Sequence, residues 1–144
     1  MDVNEAVLSH GYVRVKKCRD GYFVYNANDS YIGRSLDLYG EYSYAEALLL
    51  QQFLRPGMIF AEVGANIGAH TVGLARRVGQ QGRVLAYEPQ RIVFQNLCAN
   101  IAINGLMNVE CHWMALGERS GMLNVAEFDF TQPGNFGVFS ADRV

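Results

Sequence analysis

The sequence predicts an α/β fold built on a parallel sheet, and three observations carry that expectation. Short apolar runs at 58–63 and 84–87 alternate with apolar stripes of helical period. A glycine-bearing turn, Gly64 to Gly68, joins the first run directly to the helical pattern behind it. An acidic residue, Glu88, closes the second run. Strand, tight turn, helix and strand in that order form the unit of a doubly wound sheet, with ligands expected at the carboxyl ends of its strands.

Each element has its own justification. Residues 12–18 alternate apolar and polar in the strand manner, Asp20-Gly21 is a turn signal, and Tyr22 to Tyr25 follows, so a β-hairpin is expected. Residues 26–30 read as polar loop. Ser43 with Glu46 three residues on has the form of a capping box, and Leu48, Leu49, Phe53 and Leu54 supply a helical stripe that Pro56-Gly57 ends. The run at 58–63 is a buried parallel strand. Ile67, Thr71, Leu74, Ala75 and Val78 share one helix face. A second strand at 84–87 precedes a helix marked by Phe94, Leu97, Cys98 and Ile101 and stopped by Gly105. Residues 109–116 read as a third strand, and 122–130 as a fourth, paired antiparallel with it. The expected organisation is an N-terminal hairpin and capping helix at 1–57, then a partial nucleotide-binding domain at 58–144.

Composition excludes several classes. The 144 residues fit one domain, 18% are charged, and the net charge is -2. No basic field invites nucleic acid, so none is expected as a partner. Cys18, Cys98 and Cys111 are odd in number and form no CxxC pair, so neither a disulfide framework nor a metal site is expected. The first ten residues lack the pattern of a secretory signal, and no run is long enough to span a membrane. The expectation is a cytoplasmic protein with no membrane partner.

The candidate site is the loop Glu62-Val63-Gly64-Ala65-Asn66-Ile67-Gly68 together with Glu88. Gly64 permits a sharp turn and close ligand approach. Gly68 is read as opening the helix, whose free N–H groups point at the same cleft. Glu62 can face a cationic ligand group. Glu88, as a strand-end carboxylate contributing little to packing, suits a vicinal diol because it offers only acceptor sites. Together these specify an adenosine-type ligand. The dinucleotide pattern GxGxxG fails, since Asn66 and Ala69 stand where glycines are needed, and the P-loop pattern fails too. An adenosyl ligand with a charged amino-acid tail remains.

Residues 62–71 (Glu-Val-Gly-Ala-Asn-Ile-Gly-Ala-His-Thr), 86–90 (Ala-Tyr-Glu-Pro-Gln) and 104–109 (Asn-Gly-Leu-Met-Asn-Val) resemble FkbM-type methyltransferases, as do Pro56-Gly57 and Ala115-Leu116-Gly117. The resemblance covers residues 40 to 140. It implies a Rossmann-like methyltransferase fold, here an incomplete β-α-β-α-β core with an N-terminal β-hairpin and a C-terminal antiparallel strand. It also implies S-adenosylmethionine as cofactor, with its methionine part at Gly64, Ala65, Asn66 and Gly68, its ribose at Glu88, and its adenine near Ala115 and Leu116. The family has Asp where this chain has Glu62, one methylene longer. The family continues with a core strand bearing Asp-x-Glu-Gly and further elements that shape the acceptor pocket, and this chain stops before them. No catalytic residue is therefore assigned.

The implied activity is methylation of an oxygen on a small molecule or sugar. A non-catalytic nucleoside-binding or structural module is the alternative, followed by a nicotinamide-dependent oxidoreductase, which the failed GxGxxG disfavours. An uncovered edge of the strand at 58–63 implies self-association, unless a swapped segment or the hairpin at 12–25 covers it. Other features read as structural. Tyr12 and Lys16 lie about 13 Å apart on a strand and form no catalytic pair. His70 reads as a solvated helix residue, and His112 and Trp113 as core. Arg76-Arg77 reads as a solvated face, and the aromatics Tyr39, Tyr42 and Tyr44 as packing around a helix start with a second reading as cover for the cleft. Asn135-Phe136-Gly137 resembles a family loop.

Overall fold

A computed structural model describes residues 6–138. Strands β1 (Ala6–His10), β2 (Val13–Lys17) and β3 (Tyr22–Asn26) form one antiparallel sheet in that order. The hairpin of β2 and β3 follows the sequence pattern, with Val15 opposite Val24. Two elements beside it were not legible. β1 adds a strand to the hairpin. Helix α1 (Ile32–Tyr39) follows the polar loop, and the carboxylate of Asp29 fixes its start by accepting from the Tyr31 and Gly33 amides. Gly40, at φ 66°, ends it.

Helix α2 (Tyr44–Phe53) departs from expectation. Ser43 adopts a left-handed conformation and makes no side-chain cap bond, so no capping box forms. Leu48, Leu49 and Phe53 are exposed, while Ala47 and Leu54 are buried. Three of the four stripe residues read from the sequence therefore lie on the outside, and only Leu54 packs inward.

The central sheet has the parallel order β4 (Ile59–Val63), β5 (Arg83–Tyr87), β6 (Val109–His112). Helix α3 (Thr71–Val78) connects the first pair and α4 (Arg91–Ile103) the second. Val84 and Ala86 on β5 are fully buried beneath Leu74, Val78 and Leu97. Residues alternate across a strand, so Ile59, Ala61 and Val63 point the other way, and all three are exposed. Both helices thus cover one face, and β4 lies at the sheet edge. The three N-terminal strands pair among themselves and do not cover that edge.

Two boundaries also differ. Helix α3 starts at Thr71, after Ile67, and the amides of residues 64–68 are engaged by Tyr87, Glu88 and the loop itself. β6 ends at His112, where Met114 N turns back onto His112 O. The chain then leaves the sheet, and the alternating stretch 122–130 forms no strand. The expected C-terminal antiparallel strand is absent among the described residues, and Met122 is fully solvated.

The N-terminal sheet docks on α4. Asn100 Oδ1 accepts from Val24 N (2.6 Å) and Asn100 Nδ2 donates to Val24 O (3.0 Å). Asn104 repeats the arrangement at Tyr22. Phe23, Tyr25 and Leu36 then share one apolar cluster with Ile67, Val72 and Leu97. The segment 130–136 ties both parts together: Asn26 Nδ2 donates to Phe130 O, and Gln90 Nε2 to Phe136 O.

Ile59 is 73% exposed on the bare face beside an unpaired strand edge. Sedimentation should show concentration-dependent association of this chain. The pair Ile59→Lys and Val63→Lys should shift it toward monomer. Equal association of parent and variant would place the contact elsewhere.

Candidate functional site

The site forms where β4 and β5 end. Gly64 turns the chain at φ 76°, and a Cβ added there would meet open space. Asn66 is held left-handed at φ 52°, a conformation that asparagine tolerates. Gly68 at φ 85° faces inward instead, where an added Cβ would lie 2.9 Å from Leu97 Cδ1. Ala65 and Gly68 are buried, so they serve packing between loop and α4, while Gly64 is open to the cleft.

The loop amides are all engaged. Gly64 N and Ala65 N both donate to Tyr87 O, Asn66 N to Glu88 Oε2 and Ile67 N to Asn66 Oδ1, while Gly68 N reaches Ala65 O. The turn itself offers no free N–H group, so residues 64–68 are not an anion cradle. At the start of α3 the amides of Ala69, His70 and Thr71 have no acceptor among the described residues.

Glu88 ends β5 and is 3% exposed. Its Oε2 accepts from Asn66 N at 3.0 Å and its Oε1 from Gln90 N at 2.8 Å. Burial pushes its pKa up, and the two amide bonds pull it back. A carboxylate has about four acceptor sites, so each oxygen keeps one in reserve. Glu88 is therefore a structural tie as well as a candidate ligand, contrary to its reading as a packing-neutral strand end. Glu88→Ala leaves two main-chain donors without their acceptor and should destabilise the fold by roughly 2–4 kcal/mol. Denaturant unfolding checks this, and an unchanged midpoint would show that solvent replaces both bonds.

Glu62 does not face the cleft as a free anion. Its Oε2 accepts from Thr71 Oγ1 at 2.7 Å, which pins the end of β4 to the start of α3. Burial raises its pKa from 4.5 to about 7, and the Thr71 bond opposes the shift. Because the folded value lies above the unfolded one, this group's stability contribution is complete below pH 4.5 and is lost as pH rises through about 7. The parent should therefore lose roughly 1–3 kcal/mol of stability across that window. Glu62→Gln keeps an acceptor for Thr71 and should flatten the profile. Parallel profiles for parent and variant would show that Glu62 ionises freely.

Two clefts open beside the loop. A cleft of about 720 Å³ is lined by Val63, Gly64, Pro89, Ala115 and Leu116. A neighbouring one of about 480 Å³ is lined by Pro89, Ile92, Trp113, Ala115 and Phe130. The structure thus brings Gly64, Ala115 and Leu116 to one cavity, with Glu88 and Asn66 bonded to each other beneath the loop. Sequence reasoning missed two residues. Trp113, read as core, is 57% exposed; its indole N–H donates to Pro89 O (2.9 Å) and its ring lies nearly parallel to Phe94. His70, read as solvated, is only 14% exposed at its side chain. Trp113 carried a sequence signal, since a large aromatic directly followed the strand's last residue.

No family model matches the chain, and no curated protein does. Solved structures do. A putative transferase from Pyrococcus horikoshii is 15% identical with a TM-score of 0.58, over 76% of this chain and 38% of that one. M. jannaschii TYW2 in complex with AdoMet is 19% identical with a TM-score of 0.57, over 74% of this chain and 45% of that one. At this identity the likeness shows the fold alone: a Rossmann-like α/β fold shared with an AdoMet-bound protein. The chain spans less than half the length of either structure. A putative rRNA-methylase from Clostridium thermocellum also matches, at 20% identity and a TM-score of 0.48 over 50% of this chain and 39% of that one. Among the described residues no helix is long and apolar enough to cross a membrane.

Proposed function

We propose that this chain is the cofactor-binding portion of an S-adenosylmethionine-dependent methyltransferase of the FkbM type, acting on an oxygen of a small molecule or sugar. The observation that carries the reading is the closed amide ledger of residues 64–68 beside a carboxylate with acceptor sites to spare. A pyrophosphate wrapped by residues 64–68 needs their N–H groups free, and all five are engaged. An adenosyl ligand needs a diol acceptor and an open backbone approach. Glu88 supplies the first and Gly64 the second.

In this reading residues 58–144 belong to the cofactor-binding domain and residues 1–57 pack on it. Gly64, Ala65, Asn66 and Gly68 shape the loop around the methionine part, with Gly64 in direct approach. The two spare acceptor sites of Glu88 take the ribose hydroxyls once a ligand reaches the carboxylate, which is buried and lines neither cleft. Ala115 and Leu116 lie beside the adenine in the paired clefts. When bound, S-adenosylmethionine supplies the methyl group, and the chain's own residues fix the donor's position, which is the main contribution to such a transfer. Trp113, Ile92 and Phe130 give the smaller cleft an apolar wall.

Trp113 is the sole tryptophan, so its emission reports on the cleft directly. Titration with S-adenosylhomocysteine should change its fluorescence saturably, and NAD should not. Gly64→Val should abolish the change, because its side chain fills the open approach and strains a positive φ. Equal or tighter binding of NAD would overturn the reading.

A further inference from the structure

The proposed ligand carries a cationic ammonium on its amino-acid tail, and Glu62, the acid expected to meet it, is committed to Thr71. Another carboxylate stands near the end of the same loop. His70 follows Gly68 by two positions, and its Nε2 lies 3.4 Å from Glu46 Oε2 on α2. Neither ring nitrogen of His70 has a hydrogen-bond partner among the described residues, and both are sealed from solvent. The Tyr42 ring lies against the imidazole, with centroids 5.6 Å apart at 43°. Tyr42 also belongs to the apolar cluster that includes Ala65, Ile67 and Ala69, so this group abuts the glycine loop.

Buried polar groups without partners are rare and call for an explanation. The pair is asymmetric: the imidazole is enclosed, whereas the Glu46 side chain is 58% exposed. The Glu46 carboxylate lies within ion-pair distance of the imidazole, and Oε1 accepts no bond among the described residues. That arrangement leaves an exposed carboxylate beside the end of the loop.

We infer that Glu46, held in place by His70 under the Tyr42 ring, receives the ammonium of the ligand's amino-acid tail. The inference rests on the binding reading above. Glu46 is the contact residue and His70 a positioning residue that acts through it.

The test compares two ligands that differ only in the tail. S-adenosylhomocysteine has it, and 5′-methylthioadenosine has a methyl group in its place. Calorimetric titration of the parent, Glu46→Gln and His70→Ala with each ligand forms a cycle. Both variants should weaken S-adenosylhomocysteine by about tenfold, the usual worth of a charge-assisted bond, and leave methylthioadenosine within about twofold, the ordinary scatter of a surface change. Equal weakening of both ligands would mark a general packing role and overturn the inference, as would unchanged affinity for both. Glu46 is exposed, so its variant keeps the test decisive if His70→Ala misfolds. A parent that binds neither ligand would instead defeat the methyltransferase reading, and this inference with it.

Discussion

Two amides of different segments converge on one buried carboxylate. Glu88 receives Asn66 N from the loop after β4 and Gln90 N from the turn into α4. These are the two strand-to-helix connections of the central sheet, and a single side chain ties them together. The left-handed Asn66, the open approach at Gly64 and the start of α4 all take their positions from that tie. Hydrogen bonds from neutral donors to an ionised acceptor are strong, and this one is enclosed on most sides. The residue offered to a ligand is thus also the one that holds the loop in shape.

The same logic separates this turn from phosphate-binding loops that share its outline. Both join a strand to a helix through glycines. What distinguishes them is where the amides point. Here Tyr87 O takes two, Glu88 takes one, and the remaining two close within the loop. A glycine count alone does not register this difference, although Asn66 and Ala69 in place of glycines pointed to it.

The parallel strands were legible because each is a short apolar run ended by a distinct signal. Residues 58–63 and 84–87 match Ile59–Val63 and Arg83–Tyr87 almost residue for residue. Helix α1 was hidden because its eight residues hold few periodic positions and its cap, Asp29, sits outside the usual spacing. The stretch 122–130 misled for the opposite reason. Its alternation is real, but a strand needs a neighbour, and the main chain has already left the sheet at His112. At the site, the position of Glu88 was readable and its burial was not. Glu46 was assigned to a cap by a local rule, whereas Ser43 is left-handed and the Glu46 carboxylate lies beside His70, distant in sequence.

Asn100 and Asn104 present their amides to Val24 and Tyr22 as a neighbouring strand would, each giving one donor and one acceptor to the free margin of β3. A helix thereby imitates a strand, and the N-terminal sheet ends where it meets α4. The mimicry has a kinetic side. The partners lie 76 and 82 positions apart, so the long chain between them must close before either pair can form, an entropic cost that grows slowly with length. Local contacts such as the β2–β3 hairpin form without that cost, and topologies with distant contacts fold more slowly. The hairpin is therefore ready early and waits for α4, so the docking of one prefolded piece on the other becomes the late step in assembling this chain.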